Sequence, residues 1–316
     1  MVTAIDTLLR ERKLILVTGK GGIGKTLVSC MLARRAVALG RRVLVVEQSS
    51  VAQIGPLLGF AEIGHEEQWI GLLGVANFSA AGNFRDYVSN HLMKSHLLDV
   101  VLSNKIVHSL FTAIPGFGEL MLLGRLYFAQ NLSKKTRPDL IIMDSYASGH
   151  FLSLMTTPDA VLQSGLAGPI VHHTTAVKKW LEDKNQCSMF YVAVAEDLVI
   201  SEALEFLPIL AEKSPVNLAG IVMNRSLPEL AEAPTAQKEG VQDALAFGAK
   251  LGNLATQFMA ARRERQRLAF KKYSGGIARQ AVLENLPVWY LPELGAVAEP
   301  ITTEAVDLFL GGANVR

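Results

Sequence analysis

This sequence has few cysteines, a small net charge and no long apolar runs. Two cysteines, Cys30 and Cys187, stand among 316 residues, and neither belongs to a C-x-x-C pair. This spacing argues against a disulfide framework and against a structural zinc site, and it fits a reducing compartment. Lysine and arginine (31) nearly balance aspartate and glutamate (29). The charge balance therefore gives no reason to expect nucleic acid as a partner.

Targeting and membrane segments are not apparent in the sequence either. The apolar run at residues 14–17 is shorter than the core of a signal peptide, and charged residues precede it at positions 10–13. No stretch of the sequence reaches the roughly 18 apolar residues that a membrane-spanning helix needs. We therefore expect a soluble, cytoplasmic protein without a membrane span.

Short apolar runs alternate with helical patterns along the chain. Runs without polar alternation are typical of parallel strands that are covered on both faces. We predict an α/β fold with a doubly wound, mostly parallel sheet, as one domain over residues 1–316 with a helical insertion at about 80–132. A long helical stretch is predicted at about 241–285, and strands are predicted at 14–18, 43–47, 140–144, 190–195, 218–224 and 288–291.

A glycine-rich segment follows the first predicted strand and precedes a helical pattern. Residues 19–26 match G-x-x-x-x-G-K-[ST], the P-loop that binds nucleotide phosphates. Glycines let backbone N–H groups curl around phosphate oxygens. Lys25 is expected to neutralise the β and γ oxygens, and the Thr26 hydroxyl to ligate Mg²⁺. The predicted nucleotide contacts are Gly19, Gly21, Gly22, Ile23, Gly24, Lys25, Thr26 and Leu27.

A second lysine, Lys20, lies directly after the first glycine of the loop. The resulting pattern G-K-G-G-x-G-K-T resembles the signature-lysine group of P-loop ATPases. In that group the lysine reaches across a dimer interface to the partner's nucleotide. The resemblance implies that Lys20 is catalytic, and that the active unit is a homodimer or a heterodimer with a paralogous ATPase.

Later segments resemble, in the same order, the family of arsenite-pump and tail-anchored-protein-targeting ATPases. Residues 144–150, DSYASGH, resemble its switch II, D-T-A-P-T-G-H. The resemblance implies that Asp144 holds Mg²⁺ through water and that Gly149 senses the γ-phosphate. Residues 223–225 and 291–294 resemble later motifs, which implies that Asn224 and the loop with Pro292 contact adenine. The implied function is a dimeric, Mg²⁺-dependent ATPase that couples its nucleotide state to an apolar or partner-binding surface, for which an apolar protein is one candidate client.

The predicted switch I departs from the family. Ser49 and Ser50 stand where the family has an Asp-Pro pair. The family's aspartate positions or activates the attacking water, and serine is not a base at neutral pH. Glu47, at the end of the second predicted strand, is a candidate catalytic carboxylate, and a strand-terminal charge without catalytic duty is the other interpretation. Hydrolysis is therefore expected to be slow.

Two alternatives to this function stay open. One is a nucleotide-binding regulatory subunit, with weak or no hydrolysis, that pairs with a paralogue, and the serines of switch I favour it. The other is a partition-type ATPase, which shares the signature lysine. Arsenite is not expected as the cargo, because Cys30 and Cys187 cannot form a cluster of thiolates.

Overall fold

The computed structural model describes residues 4–91, 116–131, 137–226, 242–277, 286–292, 301 and 314–315. Its strands are β1 (Leu14–Gly19), β2 (Val43–Glu47), β3 (Gln68–Ile70), β4 (Leu73–Asn77), β5 (Leu140–Ala147), β6 (Cys187–Val194), β7 (Asn217–Ser226), β8 (Val288–Pro292) and β9 (Asn314–Val315). Its helices are α1 (Ala4–Glu11), α2 (Lys25–Ala38), α3 (Ile54–Leu58), α4 (Ala80–His91), α5 (Phe117–Asn131), α6 (Ser148–Gln163), α7 (Pro169–Glu182), α8 (Asp197–Lys213) and α9 (Gln242–Ile277).

The strands of the described residues form one nine-stranded sheet in the order β3-β4-β2-β5-β1-β6-β7-β8-β9. Neighbours from β4 to β8 run parallel, and the edge strands β3 and β9 pair antiparallel. Strands from later in the chain pair with β1 on both sides, β5 on one side and β6 on the other. In such a sheet the crevice at the carboxyl ends of the central strands is the usual ligand site. The predicted α/β fold is confirmed.

The central strands are buried on both faces, which explains their unbroken apolar runs. Every residue of β1 and β6 is buried. Three strands near the two edges of the sheet, β3, β4 and β9, were not predicted. β4 is short and contains Gly74, and a Cβ at Gly74 would lie 2.6 Å from the ring of Trp69 on β3. The glycine that weakens the strand pattern therefore makes room for the indole that covers β4.

Helices α4 and α5 lie at the two ends of the predicted insertion and pack against each other. They share a small apolar cluster whose buried members include Tyr87, Leu120 and Met121. Residues 92–115 and 132–136 lie outside the described residues, so the extent of the insertion stays a prediction. Among the helices that the structure describes, none combines the length and the apolar character required to traverse a bilayer.

We predict that Gly220→Ala, in β7, destabilises the fold. A Cβ at this position would lie 2.2 Å from the ring of Trp289 and 2.7 Å from the carbonyl oxygen of Pro287. Overpacking of this kind lowers the free energy of unfolding by about 1–3 kcal/mol. Urea unfolding measures this change in the free energy of unfolding. The control is Gly275→Ala in α9, where no atom of the described residues lies within 4 Å of the new Cβ and alanine favours the helix. Equal stability of the two variants would contradict the packing argument.

Candidate functional site

The P-loop connects β1 to α2 at the carboxyl edge of the sheet, and two of its glycines are required by close packing. A Cβ at Gly19 would lie 2.2 Å from the carbonyl oxygen of Val192 on β6, and one at Gly24 would lie 2.5 Å from Nδ2 of Asn224. Gly22 and Gly24 have positive φ angles of 79° and 91°, which favour glycine. The side chains of Ile23 and Leu27 pack toward the core.

The side chain of Lys25 reaches back across the P-loop. Its Nζ donates a hydrogen bond to the carbonyl oxygen of Lys20 at 3.0 Å. Burial lowers the pKa of Lys25, and the negative charge of Asp144 opposes that shift. The ammonium group therefore lies over the loop, where a lysine of this motif meets the β and γ phosphate oxygens.

Thr26 and Asp144 meet where β1 and β5 end side by side. The Thr26 hydroxyl donates to Oδ2 of Asp144 at 2.6 Å. The other oxygen, Oδ1, is buried and has no hydrogen-bond partner among the described residues. Burial raises the pKa of Asp144, and the contacts with Thr26 and Lys25 oppose the rise. Oε1 of Gln53, a residue that sequence reasoning missed, lies 3.5 Å from the Thr26 hydroxyl.

Glu47 ends β2 beside Asp144, its partner in the sheet register. Its carboxylate is buried, with 3% of the residue exposed, and accepts the N–H groups of Gln53 at 2.9 Å and Ile54 at 3.2 Å. These N–H groups belong to the N-cap residue and to the first residue of α3, so Glu47 caps that helix. Burial raises the pKa of Glu47, and the two N–H groups oppose the rise. The contacts favour the interpretation of Glu47 as a positioning charge.

Ser49 is held in place by Asn77 of β4. The Ser49 N–H donates to Oδ1 of Asn77 at 3.1 Å, and Nδ2 of Asn77 donates to the Ser49 carbonyl at 2.9 Å. The Ser49 hydroxyl donates to the carbonyl oxygen of Val51 at 2.8 Å. Switch I is therefore tied to the edge of the sheet through Ser49. The role of Asn77 was not visible in the sequence, because β4 was not predicted.

Tyr146 connects switch II to switch I and to α5. Its hydroxyl donates to Oε1 of Gln48, and its ring stacks on that of His150 at a centroid distance of 4.0 Å. Burial, with a smaller effect of Glu119, raises the pKa of Tyr146 to about 12, so the hydroxyl stays a donor. Nε2 of His150 lies 3.2 Å from Oε1 of Glu119 on α5. Gly149, the predicted γ-phosphate sensor, lies in the first turn of α6.

Lys20 is paired with a carboxylate of its own chain. Its Nζ lies 2.6 Å from Oε2 of Glu202 on α8. The other oxygen of Glu202 accepts the Ser148 hydroxyl at 3.3 Å. About 41% of the Lys20 side chain and 39% of the Glu202 side chain are exposed, and ion pairs in such surroundings contribute little to stability. The pair is therefore weak enough to exchange for another partner.

The end of β7 lies against the outer side of the P-loop. Nδ2 of Asn224 donates a hydrogen bond to the carbonyl oxygen of Ile23 at 2.9 Å. The guanidinium of Arg225 donates one to the carbonyl oxygen of Gly22 at 3.3 Å. Pro292 is the last residue of β8 and pairs with Ser226 in the sheet. The adenine contacts of Asn224 and Pro292 stay predictions.

Comparison with known proteins agrees with this geometry. Residues 12–167 match the anion-transporting ATPase family. ATPase BagA of Mycobacterium tuberculosis is 27% identical over 243 residues, which cover 73% of this chain and 71% of that protein. ATPase get3 of Neurospora crassa is 30% identical over 175 residues, which cover 53% of this chain and 49% of that protein.

The arsenical pump-driving ATPase of Escherichia coli is 32% identical over 151 residues, which cover 45% of this chain and 25% of that protein. The matched part of this chain contains the P-loop, both switch segments and the Thr26–Asp144 pair. Over residues 12–167 the chain is therefore similar to the anion-transporting ATPase family, and its activity is ATP hydrolysis.

Proposed function

We propose that this ATP hydrolase depends on Mg²⁺ and works as a dimer in which Lys20 of one chain completes the nucleotide site of the other. The single observation that carries the Mg²⁺ part is the Thr26–Asp144 contact of 2.6 Å at the carboxyl edge of β1 and β5. Lys20, directly after the first glycine of the loop, carries the dimer part.

Thr26, at the start of α2, and Asp144, on β5, fit a magnesium ion. Thr26 and Asp144 offer a hydroxyl and a carboxylate, the oxygen ligands that Mg²⁺ prefers. The buried Oδ1 of Asp144, which lacks a hydrogen-bond partner among the described residues, is an acceptor that a hydrated cation would satisfy. When bound, Mg²⁺ neutralises charge on the β and γ phosphates. Thr26 and Asp144 would hold it, directly and through water.

The chain's own groups provide the rest of the phosphate site. Backbone N–H groups of the loop and the first turn of α2 face the phosphates, and Lys25 neutralises the oxygens that gain charge. Phosphoryl transfer depends mainly on positioning and electrostatics, so a strong base is not required. Gln48 and Gln53 lie on either side of Ser49 and Ser50 in the sequence, and Oε1 of Gln53 is 3.5 Å from the Thr26 hydroxyl, so their side-chain amides are the candidates to orient a water. Without a free carboxylate, turnover is expected to be slow.

The role of Lys20 in the dimer is supported by its present partner. The Lys20–Glu202 pair is half exposed, so solvent screening keeps it weak. Nucleotide phosphates of a second chain carry more negative charge than one carboxylate. Lys20 therefore exchanges Glu202 for a phosphate of the other chain when two nucleotide-bound chains meet face to face.

We further propose that the nucleotide state is transmitted to α4 and α5, and that these helices contribute to a surface for an apolar protein client. The support is the row of contacts from Gln48 through Tyr146 and His150 to Glu119 on α5. This row joins both switch segments to the helices of the predicted insertion. A change at the γ-phosphate therefore has a direct path to α5.

A regulatory subunit with weak or no hydrolysis remains the second candidate. It is favoured by the two polar groups of switch I that are already engaged: the Ser49 hydroxyl bonds to Val51, and the Glu47 carboxylate caps α3. Such a subunit would bind Mg-ATP and pair with a paralogue that hydrolyses it.

We expect the purified protein to hydrolyse ATP slowly in single-turnover assays with Mg²⁺, and to stop when EDTA removes the ion. Lys25→Ala should reduce turnover by roughly 10²-fold or more, because the lysine neutralises charge in the transition state. Quantifying labelled ADP over time measures both effects. A wild-type chain that binds ATP without turnover above the Lys25→Ala background would favour the regulatory subunit.

A mixing experiment tests whether Lys20 acts across the dimer. Lys20→Ala keeps its own P-loop lysine, and Lys25→Ala keeps its signature lysine, so a mixed dimer has one complete site. Two variants with little activity alone should together recover roughly a quarter of the wild-type rate if pairing is random. The control mixes Lys20→Ala with the double variant Lys20→Ala/Lys25→Ala, which should recover nothing. Normal turnover by Lys20→Ala alone would refute the cross-dimer role.

Glu47→Gln separates the two interpretations of Glu47. If the carboxylate caps α3, the amide loses one acceptor, and we expect the free energy of unfolding to fall by about 1 kcal/mol with a modest loss of turnover. A general base would instead lose turnover by roughly 10²–10⁴-fold at little change in stability. Thermal unfolding and single-turnover rates are measured together. Glu62→Gln, on an exposed residue, is the control.

A further inference from the structure

The end of β7 holds two successive carbonyl groups of the P-loop. The Ile23 carbonyl accepts from Asn224 and the Gly22 carbonyl accepts from Arg225, at 2.9 and 3.3 Å. Two consecutive side chains of β7 thus bind two consecutive peptide groups of the loop. Asn224 is buried, with 2% of its surface exposed, while Arg225 is exposed.

Peptide geometry connects these carbonyls to the phosphate side of the loop. In a trans peptide the carbonyl of one residue and the N–H of the next point in opposite directions within one plane. When the carbonyls of Gly22 and Ile23 are held toward β7, the N–H groups of Ile23 and Gly24 point the other way, into the loop. These are N–H groups of the kind that bind nucleotide phosphates in a P-loop.

The backbone of β7 is bent so that both side chains reach the same loop. Successive side chains of a regular strand point to opposite faces of a sheet. Here the register with β8 shifts between Met223 and Ser226, and Arg225 adopts φ = 53°. It is the one non-glycine residue with positive φ in the part of the chain that the structure describes. This conformation breaks the alternation and brings Asn224 and Arg225 to the same side.

A positive φ costs free energy at a residue with a Cβ, so the surrounding structure must hold it. Nε2 of Gln266 on α9 donates to the Arg225 carbonyl at 2.9 Å. Glycine would adopt this conformation without cost, yet arginine stands there. Strain that is maintained beside a ligand-binding loop indicates that the side chain has a use at that loop.

We propose that Asn224 and Arg225 are positioning residues that orient the N–H groups of Ile23 and Gly24 toward the triphosphate of the nucleotide. This role concerns the phosphates and is separate from the adenine contact that the family resemblance implies for Asn224. It rests on the proposed nucleotide site. Arg225 acts here through the Gly22 carbonyl, and its positive charge favours the same phosphates.

A ligand that has phosphates but no nucleobase distinguishes this role from recognition of adenine. Inorganic tripolyphosphate with Mg²⁺ offers the phosphates alone, while ATP and GTP share the phosphates and differ in the base. Calorimetry with the purified full chain measures all three. Asn224→Ala and Arg225→Ala should each weaken tripolyphosphate binding, roughly 3- to 10-fold for one lost hydrogen bond. Arg225→Ala should weaken ATP by the same factor and leave the preference between ATP and GTP unchanged, while any additional loss of ATP affinity in Asn224→Ala measures its adenine contact.

Arg225→Gly separates positioning from stability. Glycine relieves the positive φ, so the melting temperature should stay equal or rise, while tripolyphosphate binding should weaken as in Arg225→Ala. Arg265→Ala is the charge control, because it removes the same charge from an exposed arginine whose Nε bonds within its own helix. It should leave binding nearly unchanged.

Three results would overturn the proposal. The first is a loss of ATP affinity in Asn224→Ala with normal tripolyphosphate binding, which would mean base recognition alone. The second is Arg225→Gly binding tripolyphosphate as tightly as the wild type. The third is an equal loss in Arg265→Ala, which would mean that only net charge matters. A wild-type chain that binds neither ATP nor tripolyphosphate would instead refute the proposed nucleotide site, and this proposal with it.

Discussion

A P-loop can turn its N–H groups toward a phosphate only if its carbonyl groups find partners on the opposite side, and the site of this chain depends on that constraint. The Lys20 carbonyl accepts from Lys25 within the loop. The carbonyls of Gly22 and Ile23 accept from the end of β7. Ile23 is buried, and a buried carbonyl group is costly without a partner. The strands around β1 therefore shape the loop as much as its own glycines do.

The order of the strands decides which side chains meet at this loop. Because β5 and β6 flank β1, the carboxyl ends of strands far apart in the chain converge at one edge of the sheet. Asp144 reaches Thr26 from β5, and Asn224 reaches Ile23 from β7, across 118 and 201 residues of sequence. Both contacts follow from a parallel sheet that places every carboxyl end on the same side.

The segment around Ser49 departs from the motif of the family that it resembles and is nonetheless held by several contacts. Ser49 is held by Asn77, and Glu47 caps α3 with a buried carboxylate. Two amides flank Ser49 and Ser50 in the sequence: Gln53 lies 3.5 Å from the Thr26 hydroxyl, and Gln48 is bonded to Tyr146. Amides can orient water but cannot accept its proton at neutral pH. These contacts are the basis of the proposal that turnover is slow.

Local patterns in the sequence determined the strands of the sheet centre, the P-loop and the place of Asp144, because unbroken apolar runs and the spacing of glycine and lysine act over a few residues. They missed β4 and with it the role of Asn77, since Gly74 weakens the strand pattern. They also left undecided what Glu47 and Lys20 contact. The cap on α3, the Glu202 ion pair and the bend at Arg225 join distant segments, so only the tertiary structure decided them.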